Sequence, residues 1–206
     1  LKSAQVFDYL KHAEDYGLKI KEYDKDFKSV INRSREVAAG MSKGVQFLMK
    51  KNKIDIINGH GKVLPGKKVS VSNGKKTEEY LAKHIIIATG ARSRELPAIP
   101  QNGKNIIGYR KAMTLEKQPK KLVVIGSGAI GIEFAYFYNT MGTEVVIVEY
   151  LDRILPVEDE EVSKQLERSF KKSGIKIFTN AEVKKVETKN KSVDVIIKTK
   201  SNEEIL

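Results

Sequence analysis

Residues 121–134 read KLVVIGSGAIGIEF, and EVVIVE follows at 144–149. The order is an apolar strand, a glycine-rich turn, a helix and a second apolar strand that ends in an acid. The glycines are Gly126, Gly128 and Gly131, spaced G-x-G-x-x-G. That spacing alone is a weak signal, and its setting between strand and helix gives it meaning. Leu122 to Ile125 is wholly apolar and β-branched-rich, as a strand buried on both faces should be. Gly126 permits the tight turn out of the strand, Gly128 has no side chain to hold a pyrophosphate off the backbone, and Gly131 lets the helix pack close to the sheet. The helix N-terminus adds free N–H groups and a positive dipole end for phosphate. These residues predict a dinucleotide cradle.

Glu149 ends the second strand 18 residues after Gly131, where a carboxylate can accept hydrogen bonds from the adenosine ribose hydroxyls. A 2′-phosphate about 4 Å from it would be repelled by about 4 kcal/mol at an effective dielectric of about 20. That favours NAD over NADP. Arg153, close in sequence, could offset part of the repulsion.

The chain has 206 residues, enough for one large domain or two small ones, and 40% of them are hydrophobic, enough for a proper core. No run approaches 18 consecutive apolar residues, so no membrane span is expected. The opening LKSAQVFDYLKHAEDYG lacks both an initiator Met and the apolar stretch of a signal peptide, and an internal fragment of a longer chain is expected. There is no cysteine, which excludes disulfides, thiolate metal sites and a cysteine nucleophile within these residues.

A net charge of +12 raises the question of nucleic acid. The lysines are scattered over helix faces and turns (Lys50–Lys51, Lys67–Lys68, Lys75–Lys76, Lys120–Lys121, Lys171–Lys172) and no basic-aromatic motif accompanies them. A solvated surface is the better reading, and no nucleic-acid partner is expected. The histidines His12, His60 and His84 lack metal-ligand spacing and read as structural or exposed.

Along the chain, residues 1–16 form an expected helix with Val6, Leu10 and Ala13 on its buried face and Gly17 as its stop. Asp24 or Asp26 caps a second helix of roughly 25 residues, reaching about Asn52. Its stripe of Phe27, Val30, Ile31, Val37, Met41, Val45 and Leu48 reads as core. From Ile54 the period shortens. IDIINGHGKVL, KKVSVSNGKK and TEEYLAKHIIIATG read as strands turning at Pro65-Gly66 and Asn73-Gly74. A proline-bearing loop and a short helix near Arg110 to Glu116 lead to Gln118-Pro119, a natural hinge. Beyond Glu149 a helix is expected at 158–173, with Val162, Leu166, Ser169 and Phe170 on one face and Gly174 as its stop. A third strand, IKIF, follows, and then antiparallel strands turning at Asn190-Lys191 and Ser201-Asn202.

A meander ending in IIIATG, then a linker, then VVIGSGAIGIEF and VVIVE, resembles the pyridine-nucleotide disulfide oxidoreductase flavoproteins over essentially the whole chain. The nearest resemblance is to the NAD-linked branch that oxidises dihydrolipoamide. Ala129 stands where the NADP-using relatives have a tyrosine gate, and Glu149 agrees with it. NADH oxidases and other NAD-linked members stay open, as does a non-catalytic dinucleotide-binding module. The resemblance implies an α/β, FAD/NAD(P)-linked reductase fold of Rossmann-like parallel sheets, each with an antiparallel β-meander. Both halves would be incomplete: 1–118 the C-terminal part of an FAD-binding domain, and 119–206 an NAD-binding domain lacking its last strand beside Leu122–Ile125.

Carried over by residue, the resemblance implies that Gly126, Ser127, Gly128, Ala129, Ile130 and Gly131 hold the NAD pyrophosphate, with Glu133 by the nicotinamide, Glu149 on the ribose and Val183 along the adenine. Gly61, Thr89, Gly90 and Ala91 would contact FAD through the backbone. It also implies a homodimer, the lipoyl domain of the E2 component of 2-oxoacid dehydrogenase complexes as partner, and a bacterial cytoplasm in preference to a mitochondrial matrix. The family's redox disulfide, its first glycine motif and its catalytic His-Glu pair are not among these residues. The chain by itself is therefore expected to be catalytically inert.

Overall fold

The computed structural model describes residues 1–190 and 192–206. The chain divides into two compact units, one of Leu1–Arg33 with Ser93–Leu206 and one of Ser34–Arg92.

In the first unit a parallel sheet is built from β4 (Lys121–Ile125), β5 (Glu144–Val148) and β6 (Lys176–Phe178), with β5 in the middle. Leu122 lies opposite Val145, and Val146 opposite Lys176. Among the described residues β4 has β5 as its only neighbour and forms one edge of the sheet. The run Val145–Val148 is almost completely buried because both of its faces are covered. Val145 and Ile147 point into a core with Ile132, Ala135 and Tyr138 of helix α4 (Ala129–Thr140) and Phe170 of helix α5 (Glu160–Lys172). Val146 and Val148 point the other way, into a cluster with Ala181, Val195 and Ile197. That second layer is an antiparallel meander of β7 (Glu182–Thr188), β8 (Val193–Lys198) and β9 (Glu203–Ile205). The turn expected at Asn190-Lys191 includes Lys191, which lies outside the described residues.

Helix α1 (Lys2–Lys11) packs against α4, and Ala4 is fully buried there because it has no bulk to hold the backbones apart. Gly17 ends the following 3-10 turn (Ala13–Tyr16) in the left-handed conformation. The buried face differs in part from expectation. Ala13 is buried and Leu10 half-buried as expected, but Val6 is 45% exposed and Ala4 is buried in its stead. Helix α5 is capped by Asp159, whose carboxylate accepts from the N–H groups of Glu161 and Val162 at 2.8 and 3.3 Å. Its buried face is Ser163 and Phe170, with Leu166 half-buried, while Val162 and Ser169 are exposed. Ser163 can be buried because its hydroxyl donates to the Leu155 carbonyl at 3.1 Å. Apolar periodicity found both helices and part of each buried face, with Phe170 and Ala13 inside, but wrongly included Val6, Val162 and Ser169. The short helix α3 is Tyr109–Ala112.

Helix α2 (Phe27–Lys51) has the expected length, and Asp26 opens it by accepting from Ser29 N at 3.2 Å and Ser29 Oγ at 2.6 Å. Phe27 and Ile31 join the core of the first unit. Residues from Ser34 onward belong to the second unit, where the expected core stripe is not buried: Val37, Met41, Val45 and Leu48 are all exposed. The same unit holds the meander β1 (His60–Leu64), β2 (Lys68–Ser72) and β3 (Thr77–Leu81). The apolar runs 54–57 and 84–88, read as strand from sequence, lie outside every strand, and Ile86 is 90% exposed. A strand exists only where a neighbour bonds its backbone, and no neighbour lies beside these runs among the described residues.

Candidate functional site

The glycine turn leaves the C-terminal end of β4 and opens α4. Gly126 N donates to the Val148 carbonyl at 2.8 Å, which ties the turn to the end of β5. Its φ of 90° is one that a side chain would oppose. Gly128 is the N-cap of α4 and bears no side-chain cap. The first helical hydrogen bond runs from Ile132 N to the Gly128 carbonyl at 3.0 Å. The N–H groups of Ala129, Ile130 and Gly131 precede it, so no helical carbonyl partners them.

The two later glycines are needed for different reasons. A β-carbon on Gly131 would lie 2.4 Å from the Gly126 carbonyl oxygen and 3.2 Å from Val124 Cγ1, so this position needs glycine to let helix and strand touch. A β-carbon on Gly128 would meet nothing within 4 Å. Gly128, Ala129, Ile130 and Glu133 are exposed, so the open space lies in front of free N–H groups at a helix N-terminus. That is the form of a cradle for a pyrophosphate, and NAD fits it.

Glu149 is not a solvated acid. It is 7% exposed, and three hydrogen bonds fix its carboxylate. Oε2 accepts from Ser127 N at 2.8 Å and Ser127 Oγ at 2.6 Å, and Oε1 accepts from Leu151 N at 2.9 Å. Burial pushes this carboxyl up, but the N–H of Leu151, the hydroxyl and N–H of Ser127 and the N–H of Tyr150 outweigh it and hold Glu149 below its ordinary value. The group is therefore charged at neutral pH. The Ser127 carbonyl accepts in turn from Leu155 N at 3.1 Å, so the loop after β5 is stitched to the glycine turn. Sequence reasoning placed Ser127 on the pyrophosphate and missed this pairing. No spacing rule links a serine side chain to an acid 22 positions away.

At the far end of α4 two lysines and a glutamine reach the final carbonyls. Lys11 Nζ donates to Thr140 O at 2.6 Å, Gln118 Nε2 donates to Met141 O at 2.7 Å, and Lys25 Nζ also reaches Met141 O. The cations thus sit at the negative end of the helix whose positive end forms the cradle. Arg153 donates to the Pro156 carbonyl at 3.1 Å, and its Nε is buried without a partner.

Val183 is half-buried in β7 and packs against the Val146–Val148 cluster. Gly61 lies in β1, while Thr89, Gly90 and Ala91 are exposed and outside any strand, Gly90 having a φ of 77°. These four belong to the second unit. His12 bonds the Asp8 carbonyl of its own helix at 2.9 Å and is exposed.

A parallel sheet with a glycine turn at the carboxyl end of its first strand defines a dinucleotide-binding α/β protein. The chain belongs to the pyridine nucleotide-disulphide oxidoreductase family, whose profile matches residues 7–206. Its relatives include the dihydrolipoyl dehydrogenase of Rhizobium etli, 46% identical over 97% of this chain and 45% of that protein. The dihydrolipoyl dehydrogenase of Zymomonas mobilis is 48% identical over 88% of this chain and 39% of that protein. Among solved structures, LpdA from Mycobacterium tuberculosis matches with a TM-score of 0.86 at 26% identity, over 99% of this chain and 45% of that one. The HOCl-induced flavoprotein disulfide reductase RclA from Escherichia coli matches with a TM-score of 0.69 at 25% identity, over 88% of this chain and 41% of that one. The chain thus spans less than half the length of these relatives.

Proposed function

We propose that this chain supplies the NAD cradle of a dihydrolipoyl dehydrogenase, a flavoprotein that oxidises dihydrolipoamide and reduces NAD by way of a redox disulfide and FAD. The observation that carries the reading is the open space before Gly128 at the free N–H groups of a helix N-terminus, next to a Ser127 that is bonded to the buried, charged Glu149. Identity of 46% to a dihydrolipoyl dehydrogenase supports the choice within the family.

When bound, NAD accepts hydride, and the rest of the work belongs to the chain. The turn at Gly126–Gly131 would receive the pyrophosphate on N–H groups that are oriented before binding, so little of the binding energy is spent on ordering the turn. Glu149 would accept from a ribose hydroxyl, and its charge opposes a 2′-phosphate. Glu133, exposed on the first turn of α4, would lie toward the nicotinamide, and Val183 along the adenine. Residues 119–206 form the NAD half in this reading, and 1–118 part of the FAD half with Gly61, Thr89, Gly90 and Ala91 toward the flavin. The chain has no cysteine, so the dithiol chemistry would come from elsewhere in the whole protein.

The whole protein is read as a homodimer that serves the lipoyl domain of an E2 component in a bacterial cytoplasm. Expression of the full reading frame, purification and assay of NAD reduction with dihydrolipoamide tests the activity. Robust turnover by that protein and none by residues 1–206 alone is the expected pair of results. A folded, flavin-loaded full protein that does not reduce NAD with dihydrolipoamide would overturn the reading.

A further inference from the structure

Ser127 is fully buried, so its hydroxyl cannot reach a ligand lying in the open space before Gly128. It donates instead to Glu149 Oε2, as does its own N–H. Both bonds from Ser127 fall on Oε2, while Oε1 accepts from Leu151 N, so Ser127 alone fixes one oxygen of the carboxylate. The carboxylate cannot rotate to present Oε2 without breaking two bonds to one residue. The Ser127 carbonyl is itself held by Leu155 N, so the donor pair is fixed as well as the acceptor.

We propose that Ser127 is a positioning and specificity-determining residue: it holds the Glu149 carboxylate in one orientation beside the glycine turn and thereby sets the preference for a 2′-hydroxyl over a 2′-phosphate. The inference rests on the dinucleotide reading given above. It removes the Ser127 side chain from the pyrophosphate site and makes it act through Glu149. Without its hydroxyl the carboxylate turns more freely, and the ribose meets a less well-placed acceptor. The charge of Glu149 is also less firmly held at the point where a 2′-phosphate would arrive.

The test uses the purified chain with NAD and NADP as probes, comparing wild type, Ser127→Ala, Glu149→Gln and the double variant by calorimetric titration. The Glu149 carboxyl is followed separately by carbon-13 NMR across pH, without ligand. The NAD-over-NADP preference should fall about fivefold or more in Ser127→Ala, as the loss of one hydrogen bond to a charged group implies, and should not fall further when Ser127→Ala is added to Glu149→Gln. The Glu149 titration should move upward in Ser127→Ala. If that variant does not fold, Ser127→Cys, close in shape but a poor donor, gives the same readouts. A preference that stays within about twofold of wild type, or that falls equally in the Glu149→Gln background, overturns the inference. A wild-type chain that binds neither dinucleotide instead overturns the reading of the site beneath it, and the inference with it.

Discussion

Gly131 faces the carbonyl oxygen of Gly126 so closely that a β-carbon on Gly131 would lie 2.4 Å from it. The obstacle is backbone, which cannot swing aside as a flexible side chain can. Gly131→Ala should therefore cost about 1–3 kcal/mol of stability by overpacking. Urea unfolding of the variant against wild type measures this, and an unchanged midpoint would contradict the close approach.

Gly128 makes the opposite prediction. Its backbone has φ −66° and ψ 172°, which alanine adopts readily, and the space beyond is empty. Gly128→Ala should leave stability within about 1 kcal/mol, the scale of a lost N-cap preference. The methyl would stand where a phosphate must approach the N–H groups, so dinucleotide affinity should drop at least about tenfold. Parallel unfolding and titration curves separate the two glycines. One guards the fold, and the other guards the ligand.

Tyr138 is fully buried, and its hydroxyl donates to the Ala112 carbonyl at 2.6 Å. Burial pushes its pKa up to about 12 from 10.0. The native state thus keeps a proton that the unfolded chain releases. The stability this confers is complete below the unfolded value of 10.0 and is lost as pH rises toward about 12. Tyr138→Phe should lose about 1–2 kcal/mol at neutral pH from the orphaned carbonyl. It should also lack the wild-type fall in stability between about pH 10 and 12. Thermal unfolding across that range checks both.

Glu149 gives the acid counterpart. Its folded value lies below 4.5, so the native state binds fewer protons than the unfolded chain in the window between them. Its contribution is present above the unfolded value and disappears as pH falls through the folded one. The stability gap between wild type and Glu149→Gln should narrow as pH is lowered from about 7 to about 3. A gap that stays constant over the range would contradict the pairing with Ser127 and Leu151.

Lys11 and Lys25 at the C-terminal end of α4 should each contribute about 0.3–1 kcal/mol by dipole and carbonyl contacts. Lys11→Met and Lys25→Met should lower the unfolding midpoint, and the loss should shrink as salt is raised. Denaturation at low and high ionic strength decides it.

Much of this was legible in the sequence where a local rule and a global need coincide. Val145 to Val148 is apolar at every position because both faces are covered, and the spacing of Gly126, Gly128 and Gly131 between an apolar strand and a helix marks the turn. The length of α2 was legible because Asp26 caps it and Lys51 ends it. What failed was burial. Val6, Val162 and the stripe from Val37 to Leu48 are apolar at helical spacing, yet exposed. Periodicity shows that a residue favours burial, and burial itself requires a partner. The run from Ile85 to Ile87 failed as a strand for the same reason, since among the described residues no strand pairs with its backbone. The bond between Ser127 and Glu149 was hidden because only the fold brings the end of β5 beneath the turn after β4.

The central claim is that Gly126 to Gly131 and Glu149 together receive NAD. Titration of NADH into the chain of residues 1–206, followed by the change in nicotinamide fluorescence, tests it most directly. Wild type should bind saturably, NADPH should bind at least about tenfold more weakly, and Gly128→Ala should bind NADH at least about tenfold more weakly while its stability stays within about 1 kcal/mol. Equal binding of NADH by wild type and Gly128→Ala, or no binding by a folded wild type, would contradict the account.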